Sequence, residues 1–240
     1  MDRFKVEVIA QTPNPQQTIY AAMHQDYAEG FVWDEQDRWP DEAESGALVI
    51  KHLLKGGRGH YGPLEHPQIV LNCGWFPHST MQQIRTHRVG VSFDVQSFRY
   101  TGSRITDAAK GLKSVEEVFY LRPAGFYSDR QGKRYEYTQA QRQEDLEWCA
   151  TACRRYQARI QQGFSEEHAR GLVPFDVRQH WVLSANVRSL MHLLDLRWKA
   201  DAQLEAQKLC EHIWPHFKAW TPEIAQWYEE NRLKKARLAP

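Results

Sequence analysis

The chain has 240 residues, of which 42% are hydrophobic and 12% aromatic, and these proportions are typical of a folded globular protein. Its 31 basic residues are balanced by 30 acidic ones, so the broad positive surface that binds nucleic-acid backbones is not expected. No apolar run approaches the roughly 20 residues needed to cross a bilayer, and the N-terminus lacks a signal-peptide core. We therefore expect a soluble, cytoplasmic protein with neither a nucleic-acid partner nor a membrane partner.

Hydrophobic periodicity predicts that strands and helices are mixed along one domain spanning residues 1–240. Strands are predicted over residues 4–10, 69–76 and 177–183. Helices are predicted over residues 19–27, 47–55, 81–88 and 140–160, after a cap at Ser165, from residue 184 or 185 to residue 197, and after Thr221 and Pro222. Residues 30–46 show little periodicity and predict a long, loop-rich surface insertion, and residues 93–99 predict an extended or looped run. Residues 231–240 predict a basic tail that is solvated at Lys234 and Lys235.

The four cysteines predict buried free thiols. Cys73 and Cys210 are isolated in apolar surroundings, whereas Cys149 and Cys153 lie one helical turn apart. A structural zinc site would need paired Cys-x-x-Cys segments or an accompanying histidine pair, and neither is present. Free cysteine is among the most buried residue types.

The stretch from residue 82 to residue 100 is rich in cationic and hydroxyl side chains. It contains Arg85, His87, Arg88 and Arg99, and Asp94 is its only acid. The planar fork of donors on arginine fits phosphate or carboxylate in two places at once, so the composition favours an anionic ligand. A solvated basic turn is the alternative that composition leaves open.

Residues 56–66 form a glycine-rich stretch that predicts close approach of the backbone to a ligand. His60, Glu65 and His66 in this stretch could be mistaken for a metal triad. They lack the helical spacing of zinc-binding motifs, so no metal is predicted here.

The predicted helix that begins near Ala185 is strongly apolar, and Asn186, Arg188 and His192 are unexpected polar residues on it. These three residues lie in the same half of a helical wheel. Burying such groups without partners costs about 1–3 kcal/mol each, so a bound polar ligand is favoured. A subunit interface is the alternative.

Several of these segments resemble the signature motifs of flavin-dependent thymidylate synthases. Thr86-His87-Arg88, followed by Ser97-x-Arg99-Tyr100, resembles the Arg-His-Arg signature, with threonine at the first position and Arg85 one place earlier. The glycine-rich stretch is similar to a second motif at Gly59, His60, Pro63, Glu65 and His66. Ala169 and Arg170 before Pro174 match a third segment. A C-terminal signature matches at Trp181, Asn186, Arg188, Ser189, Leu190, Leu194, Arg197, Ala202, Gln203 and Glu205.

The resemblance implies an α+β fold with a mixed or antiparallel sheet and long helices, assembled as a homotetramer with sites at subunit contacts. It implies reductive methylation of dUMP to dTMP by methylene-tetrahydrofolate and NADPH through FAD. The flavin-binding residues that it implies are His60, His87, Arg88, Asn186, Arg188 and His192. The dUMP-binding residues that it implies are Gln83, Ser97, Arg99, Arg170 and Arg197.

Two of these residues are candidates for a direct part in the reaction. Arg197 would stabilise negative charge that develops on the uracil ring. For Ser97, phosphate binding is favoured over nucleophilic attack, because no histidine or acid follows it at a fixed spacing to activate its hydroxyl. A related hydroxymethylation of dUMP and a non-enzymatic nucleotide-binding protein are the alternatives.

Overall fold

The computed structural model describes residues 3–56, 59–129 and 131–235 of the chain. The strands are β1 (Lys5–Gln11), β2 (Gln68–Pro77), β3 (Val91–Val95), β4 (Gly125–Ser128), β5 (Arg134–Tyr137) and β6 (Arg178–Asn186). The helices are α1 (Pro15–Gln25), α2 (Glu42–Val49), α3 (His78–Ile84), α4 (Phe98–Thr101), α5 (Ser103–Ala109), α6 (Val115–Val118), α7 (Gln139–Gln161), α8 (Glu166–Ala169), α9 (Val187–Arg197), α10 (Leu204–Trp220) and α11 (Pro222–Asn231). Short 3-10 helices occupy Val32–Arg38, Gly62–Glu65 and Arg170–Leu172, and a π-helical turn occupies Ile50–Leu54.

The strands form two sheets, which confirms the predicted α+β class. One sheet has four strands in the order β1-β2-β6-β3, so its neighbouring strands come from distant parts of the sequence. The other is an antiparallel pair of β4 and β5, in which Gly125 lies opposite Tyr137. None of the helices in the described ranges is long and apolar enough to cross a membrane.

The chain divides into two compact units. The first unit comprises Gly74–Gln83 and Asp94–Trp181 together with Arg3. The second unit comprises Phe4–Cys73, Ile84–Phe93 and the chain from Val182 onward. The divisions fall within or beside β2, α3, β3 and β6, so these elements contribute residues to both units.

The core of the first unit is built on the buried stripe of α7, which packs against α5. Cys149, Cys153 and Tyr156 recur on this stripe at steps of three and four residues and are buried, as the helical periodicity predicts. Burial raises the pKa of the Cys149 thiol to about 12 and that of Cys153 to about 11. Cys73 and Cys210 are also buried free thiols, so the prediction for all four cysteines is confirmed.

In the second unit, α9 is anchored to α11 through a buried carboxylate. Asp195 on α9 accepts a hydrogen bond from the Tyr228 hydroxyl at 2.9 Å and forms an ion pair with Arg232. Burial raises the pKa of the Asp195 carboxyl, although its contacts with Arg232 and Tyr228 oppose that shift. Lys234 and Lys235, where the solvated end of the basic tail was predicted, are exposed, whereas Arg232 at the start of that tail is only 7% exposed. Residues 236–240 of the predicted tail lie outside the described residues.

The predicted strands and most predicted helices are present, with shifted ends. The prediction of a long loop over residues 30–46 is wrong in part, because Val32–Arg38 is a 3-10 helix and α2 begins at Glu42. The Asp41 side chain accepts a hydrogen bond from the Glu44 amide and caps α2. This cap is a local signal for a helix, but it was overlooked because the segment lacks hydrophobic periodicity. Helix α1 begins at Pro15 rather than at residue 19, as suits proline at the first helical position.

Two shifted ends change the surroundings of predicted site residues. The helix predicted over residues 81–88 ends at Ile84, so His87 and Arg88 lie in the connection to β3 rather than on a helix. Strand β6 continues to Asn186, so α9 begins at Val187. The run predicted to be extended or looped is a strand followed at Phe98 by α4, which places Arg99 on a helix.

Candidate active site

Residues Thr86–Gly90, which we call the His87 turn, are fastened to the start of α9 in the second unit. The Gly90 carbonyl accepts a hydrogen bond from the Asn186 amide at 3.3 Å, and the Ser189 hydroxyl donates to the Val89 carbonyl at 2.8 Å. Gly90 has a φ of +64°, and a Cβ placed there would lie 2.3 Å from both Asn186 Nδ2 and Ser189 Oγ. Glycine at this position therefore allows both the left-handed backbone and the close approach of the turn to α9.

Asn186 caps α9 and does not lie on a helical face, which corrects the prediction that it shares a face with Arg188 and His192. Its side-chain oxygen accepts a hydrogen bond from the Ser189 amide at 2.8 Å, and the residue is 3% exposed. A cap bond of this kind satisfies one of the amides that have no partner within the helix. The burial of Asn186 is thus explained without a ligand.

Arg197, at the end of α9, reaches the His87 turn through two hydrogen bonds. Its Nε donates to His87 Nε2 at 3.0 Å, and its Nη2 donates to the Thr86 hydroxyl at 2.9 Å. Burial lowers the pKa of the Arg197 guanidinium, and the nearby Cys210 opposes that shift. The side chain is therefore oriented by residues that lie more than a hundred positions earlier in the chain.

The contact with Arg197 fixes which ring nitrogen of His87 accepts a hydrogen bond. Arginine has donors but no acceptor, so His87 Nε2 must accept and the proton of the neutral ring is on Nδ1. Burial, the Arg197 cation and His192 together lower the pKa of His87 to about 4. His87 is therefore a neutral hydrogen-bond acceptor towards Arg197 at neutral pH.

Arg188 has a carboxylate partner in the second unit. Its Nη1 forms an ion pair with Glu65, and its guanidinium lies 5.9 Å from the centre of the Tyr61 ring. Arg188, like Asn186, therefore has a partner within the chain, so an uncompensated polar group is not the reason to expect a ligand beside either residue. His192 still has a buried Nδ1 without a hydrogen-bond partner among the described residues.

These side chains surround a cavity of about 430 Å³, which we call the α9 cavity. It is lined by Thr86, His87, Arg88, Val89, Val91, Arg188, Ser189, His192, Leu196 and Arg197. The rings of His87 and His192 meet edge to face, with centres 5.6 Å apart. Among the predicted flavin residues, His87, Arg88, Arg188 and His192 thus converge on one cavity from two distant segments.

His60 is not among the residues that line the α9 cavity. Its side chain is 58% exposed, and its Nε2 lies 2.7 Å from the Asp26 carboxylate. Gly57 and Arg58 of the glycine-rich stretch lie outside the described residues. Within the parts of the chain that the structure describes, no three His, Cys, Asp or Glu side chains are arranged to hold a metal ion.

Most of the predicted dUMP residues belong to the first unit, where polar groups surround the start of α4. Ser97 caps this short helix, and its hydroxyl accepts a hydrogen bond from the Arg99 amide at 3.3 Å. Arg99 forms an ion pair with Glu167 at 2.8 Å, with 56% of its side chain exposed. Gln83 lies near the end of α3 and is partly buried.

Arg170 lines a second cavity, of about 310 Å³, in the first unit. The other lining residues are His78, Phe98, Val173, Pro174, Phe175 and Val177. The His78 and Phe175 rings meet edge to face at 5.2 Å, and burial lowers the pKa of His78. This cavity combines aromatic walls with one exposed guanidinium, as suits a flat ligand that carries negative charge.

Three contacts that shape the α9 cavity were not predicted from the sequence. Thr86 was recognised only as a departure from the family motif, yet its hydroxyl holds Arg197. Ser189 was matched to a motif without a role, although its spacing of three from Asn186 is that of a helix cap. Glu65 was matched in the same way, and no local pattern could reveal its pairing with Arg188 across 123 positions.

The chemistry available in the α9 cavity is that of orientation and charge stabilisation. Three arginine side chains and two histidines line it, and the hydroxyl of Ser189 is committed to the Val89 carbonyl. Such donors bind anionic groups and polarise carbonyl groups. A reaction at this site would therefore take its bond-making chemistry from bound cofactors and substrates.

Solved structures with the same fold include enzymes that act on nucleotides. The chain matches the UMP/dUMP methylase PolB from Streptomyces cacaoi, solved with 5-Br dUMP, with a TM-score of 0.74 at 22% identity over 100% of this chain and 98% of that one. It also matches thymidylate synthase X from Helicobacter pylori, solved with FAD and dUMP, with a TM-score of 0.67 at 18% identity over 95% of this chain and 98% of that one. These likenesses show that the chain has their α+β fold.

The sequence comparison gives the family. Residues 7–223 match the family described as thymidylate synthase complementing protein. The chain is 32% identical to the flavin-dependent thymidylate synthase of Halobacterium salinarum, over 98% of this chain and 100% of that protein. It is 30% identical to the enzyme of the same name from Haloarcula marismortui, over 98% and 99% of the two chains. The chain therefore belongs to the thymidylate synthase complementing protein family, which confirms the resemblance seen in its motifs.

Proposed function

We propose that this protein is a flavin-dependent thymidylate synthase, which methylates dUMP to dTMP with methylene-tetrahydrofolate and NADPH through FAD. Its relatives carry that name and align with nearly its whole length. The observation that carries the proposal is the convergence of His87, Arg88, Arg188, His192 and Arg197 on one cavity. These residues come from two of the four segments that carry the family motifs.

The α9 cavity has the donors that a flavin would need. Arg88 and Arg188 supply guanidinium groups for phosphate or ring carbonyl groups, and His192 has a buried ring nitrogen that lacks a partner among the described residues. Asn186 supports this site by capping α9, and His60 is proposed as a further contact from the glycine-rich stretch. A bound flavin would supply the hydride chemistry, while the protein orients it and excludes water.

The proposed nucleotide residues are Gln83, Ser97, Arg99, Arg170 and Arg197. Their guanidinium and hydroxyl groups suit the phosphate of dUMP, and Arg197 would also stabilise negative charge on the uracil ring. Ser97 is proposed to bind phosphate. Its hydroxyl is aligned with a helix N-terminus, and no histidine or carboxylate among the described residues hydrogen-bonds to it.

The homotetramer, the folate and NADPH co-substrates and the cytoplasmic location are parts of the same proposal. They rest on the resemblance to the family. Sites at subunit contacts would bring the residues of several copies to one ligand, as is common in symmetric oligomers. A metal is not part of the proposed reaction, and a chelator is expected to leave turnover unchanged.

The test is reconstitution with purified full-length protein. We expect a yellow protein with flavin absorbance that converts dUMP to dTMP when methylene-tetrahydrofolate and NADPH are supplied. Mass spectrometry of the product separates a methyl from a hydroxymethyl group, and UMP serves as the comparison substrate. A colourless protein that binds dUMP without turnover would identify a nucleotide-binding protein instead, and a hydroxymethylated product would identify the related transferase.

A further inference from the structure

We propose that Thr86 is a positioning residue of the active site, whose hydroxyl acts with His87 to hold the Arg197 guanidinium in one orientation at the α9 cavity. This inference rests on the proposed function in one respect, namely that Arg197 contacts dUMP. Thr86 is the position at which this chain departs from the Arg-His-Arg motif. The inference gives that departure a structural role.

The geometry is that of a two-point clamp on one edge of the guanidinium. Nε and Nη2 lie on the same edge, and they donate to His87 Nε2 at 3.0 Å and to Thr86 Oγ1 at 2.9 Å. A single bond would leave the planar group free to rotate about the contact, whereas two parallel bonds define its plane. Thr86 and His87 are adjacent in the His87 turn, so both acceptors are carried by the same short segment of the chain.

The clamp uses uncharged acceptors, and this distinguishes it from the contact made by Arg188. Arg188 pairs with the carboxylate of Glu65, which offsets its positive charge. The hydroxyl of Thr86 and the neutral ring of His87 orient Arg197 without adding a negative charge beside it. A cation held in this way is suited to an anionic ligand or to charge that develops during a reaction.

The residue type at position 86 is essential to this arrangement. A threonine hydroxyl can accept a hydrogen bond, whereas an arginine side chain offers donors only. An arginine at position 86 could not accept from Arg197 Nη2 and would bring a second positive charge towards it. The clamp is therefore a property of the Thr-His-Arg form of the motif.

The test compares two variants at position 86 with a matched control. Thr86→Val keeps the shape of the side chain and removes the acceptor, whereas Thr86→Ser restores the hydroxyl. The control is Thr151→Val on α7, because Thr151 also accepts a hydrogen bond from an arginine, Arg154 Nη2 at 2.8 Å, away from the α9 cavity. Flavin content, the melting temperature, KM for dUMP and kcat are measured for all four proteins.

Thr86→Val should raise KM for dUMP by about three- to tenfold, a loss moderated by water because Thr86 is exposed. KM is compared on protein with full flavin content, where Thr86→Ser should lie within about twofold of the wild type and Thr151→Val should match the wild type. A purely structural role would lower the melting temperature without this selective change in KM and its rescue by serine. If the wild type is yellow and active but Thr86→Val has a normal KM, the inference is wrong. If the wild type neither binds flavin nor makes dTMP, the proposed function itself fails.

Discussion

The His87 turn with α9 and the start of α4 hold cationic residues in different ways. In the first region, Arg197 is oriented by two hydrogen bonds, and the turn itself is fastened by Asn186 and Ser189. In the second, Arg99 is oriented by an ion pair with Glu167, and more than half of each side chain is exposed. Exposed ion pairs contribute about 0–1 kcal/mol, whereas buried polar groups that lose their partners cost more.

The difference separates a preorganised site from an adaptable one. Side chains that are already in place pay little entropy when a ligand binds, so their geometry contributes directly to affinity and catalysis. Exposed side chains must be ordered by the ligand, and a conservative replacement there can adapt. Equivalent substitutions in the two regions should therefore have unequal effects.

The largest expected effect is that of Arg197→Lys. Lysine keeps the charge but cannot reproduce two parallel hydrogen bonds from one planar edge. We expect kcat/KM for dUMP to fall by about 100-fold or more, and steady-state kinetics on protein with full flavin content would measure this. Arg99→Lys, the matched change in the adaptable region, should cost no more than about tenfold. Equal losses for the two variants would contradict the comparison.

The second effect is on stability and follows from Gly90. An alanine there would have to adopt a φ of +64° and would clash with Asn186 and Ser189, so we expect a loss of about 2–4 kcal/mol in the free energy of unfolding. Gly111→Ala is the control, because Gly111 has a similar φ of +72° but has no atom within 4 Å of the added Cβ. Strain alone should cost that variant about 1 kcal/mol. Chemical denaturation of both variants measures the difference in their free energies of unfolding. Equal losses would show that the close approach of Gly90 to α9 contributes nothing to stability.

The third effect tests the adaptable region through Ser97→Ala. Loss of a hydrogen bond to phosphate, worth about 1.5–3 kcal/mol, should raise KM for dUMP by about ten- to hundredfold and leave kcat largely intact at saturation. Ser165→Ala is a matched control, because Ser165 caps the equally short helix α8 in the same unit. Titration of dUMP against flavin fluorescence, together with single-turnover formation of dTMP, separates binding from chemistry. Normal binding without product would reassign Ser97 as the nucleophile.

The smallest effect concerns pH and the neutral state of His87. Its pKa of about 4 lies below the ordinary value of 6.5, so between these values the unfolded chain binds a proton that the folded protein excludes. The contribution of neutral His87 to the free energy of unfolding is fully present above pH 6.5 and is lost as the pH falls towards 4. We expect a loss of about 1–2 kcal/mol between pH 7 and pH 5 that is absent from His87→Gln. Urea unfolding of both proteins at the two pH values tests this, and parallel pH profiles would show that His87 is not responsible.

Local patterns in the sequence were sufficient to predict the elements whose contacts lie between residues close together in the chain. The apolar stripe of α7, the alternation in β2 and the serine cap at Ser165 are each complete within a few residues. The family motifs likewise identified His87, Arg88, Arg188, His192 and Arg197, which line one cavity. Residue type and spacing were enough for the helices and strands, because each imposes a fixed period on its contacts.

Only the tertiary structure decided how those residues are held. Asn186 was predicted on a helical face because the periodic pattern does not mark where β6 ends and α9 begins. The partners of Arg197 lie 110 and 111 positions away, and that of Arg188 lies 123 positions away. No periodic signal extends over such separations in the chain, because these residues are brought together by tertiary packing and not by the geometry of the local backbone. The sequence by itself therefore identified five of the side chains that meet at the α9 cavity. Folding determined that one arginine pairs with a carboxylate and that another donates hydrogen bonds to neutral acceptors.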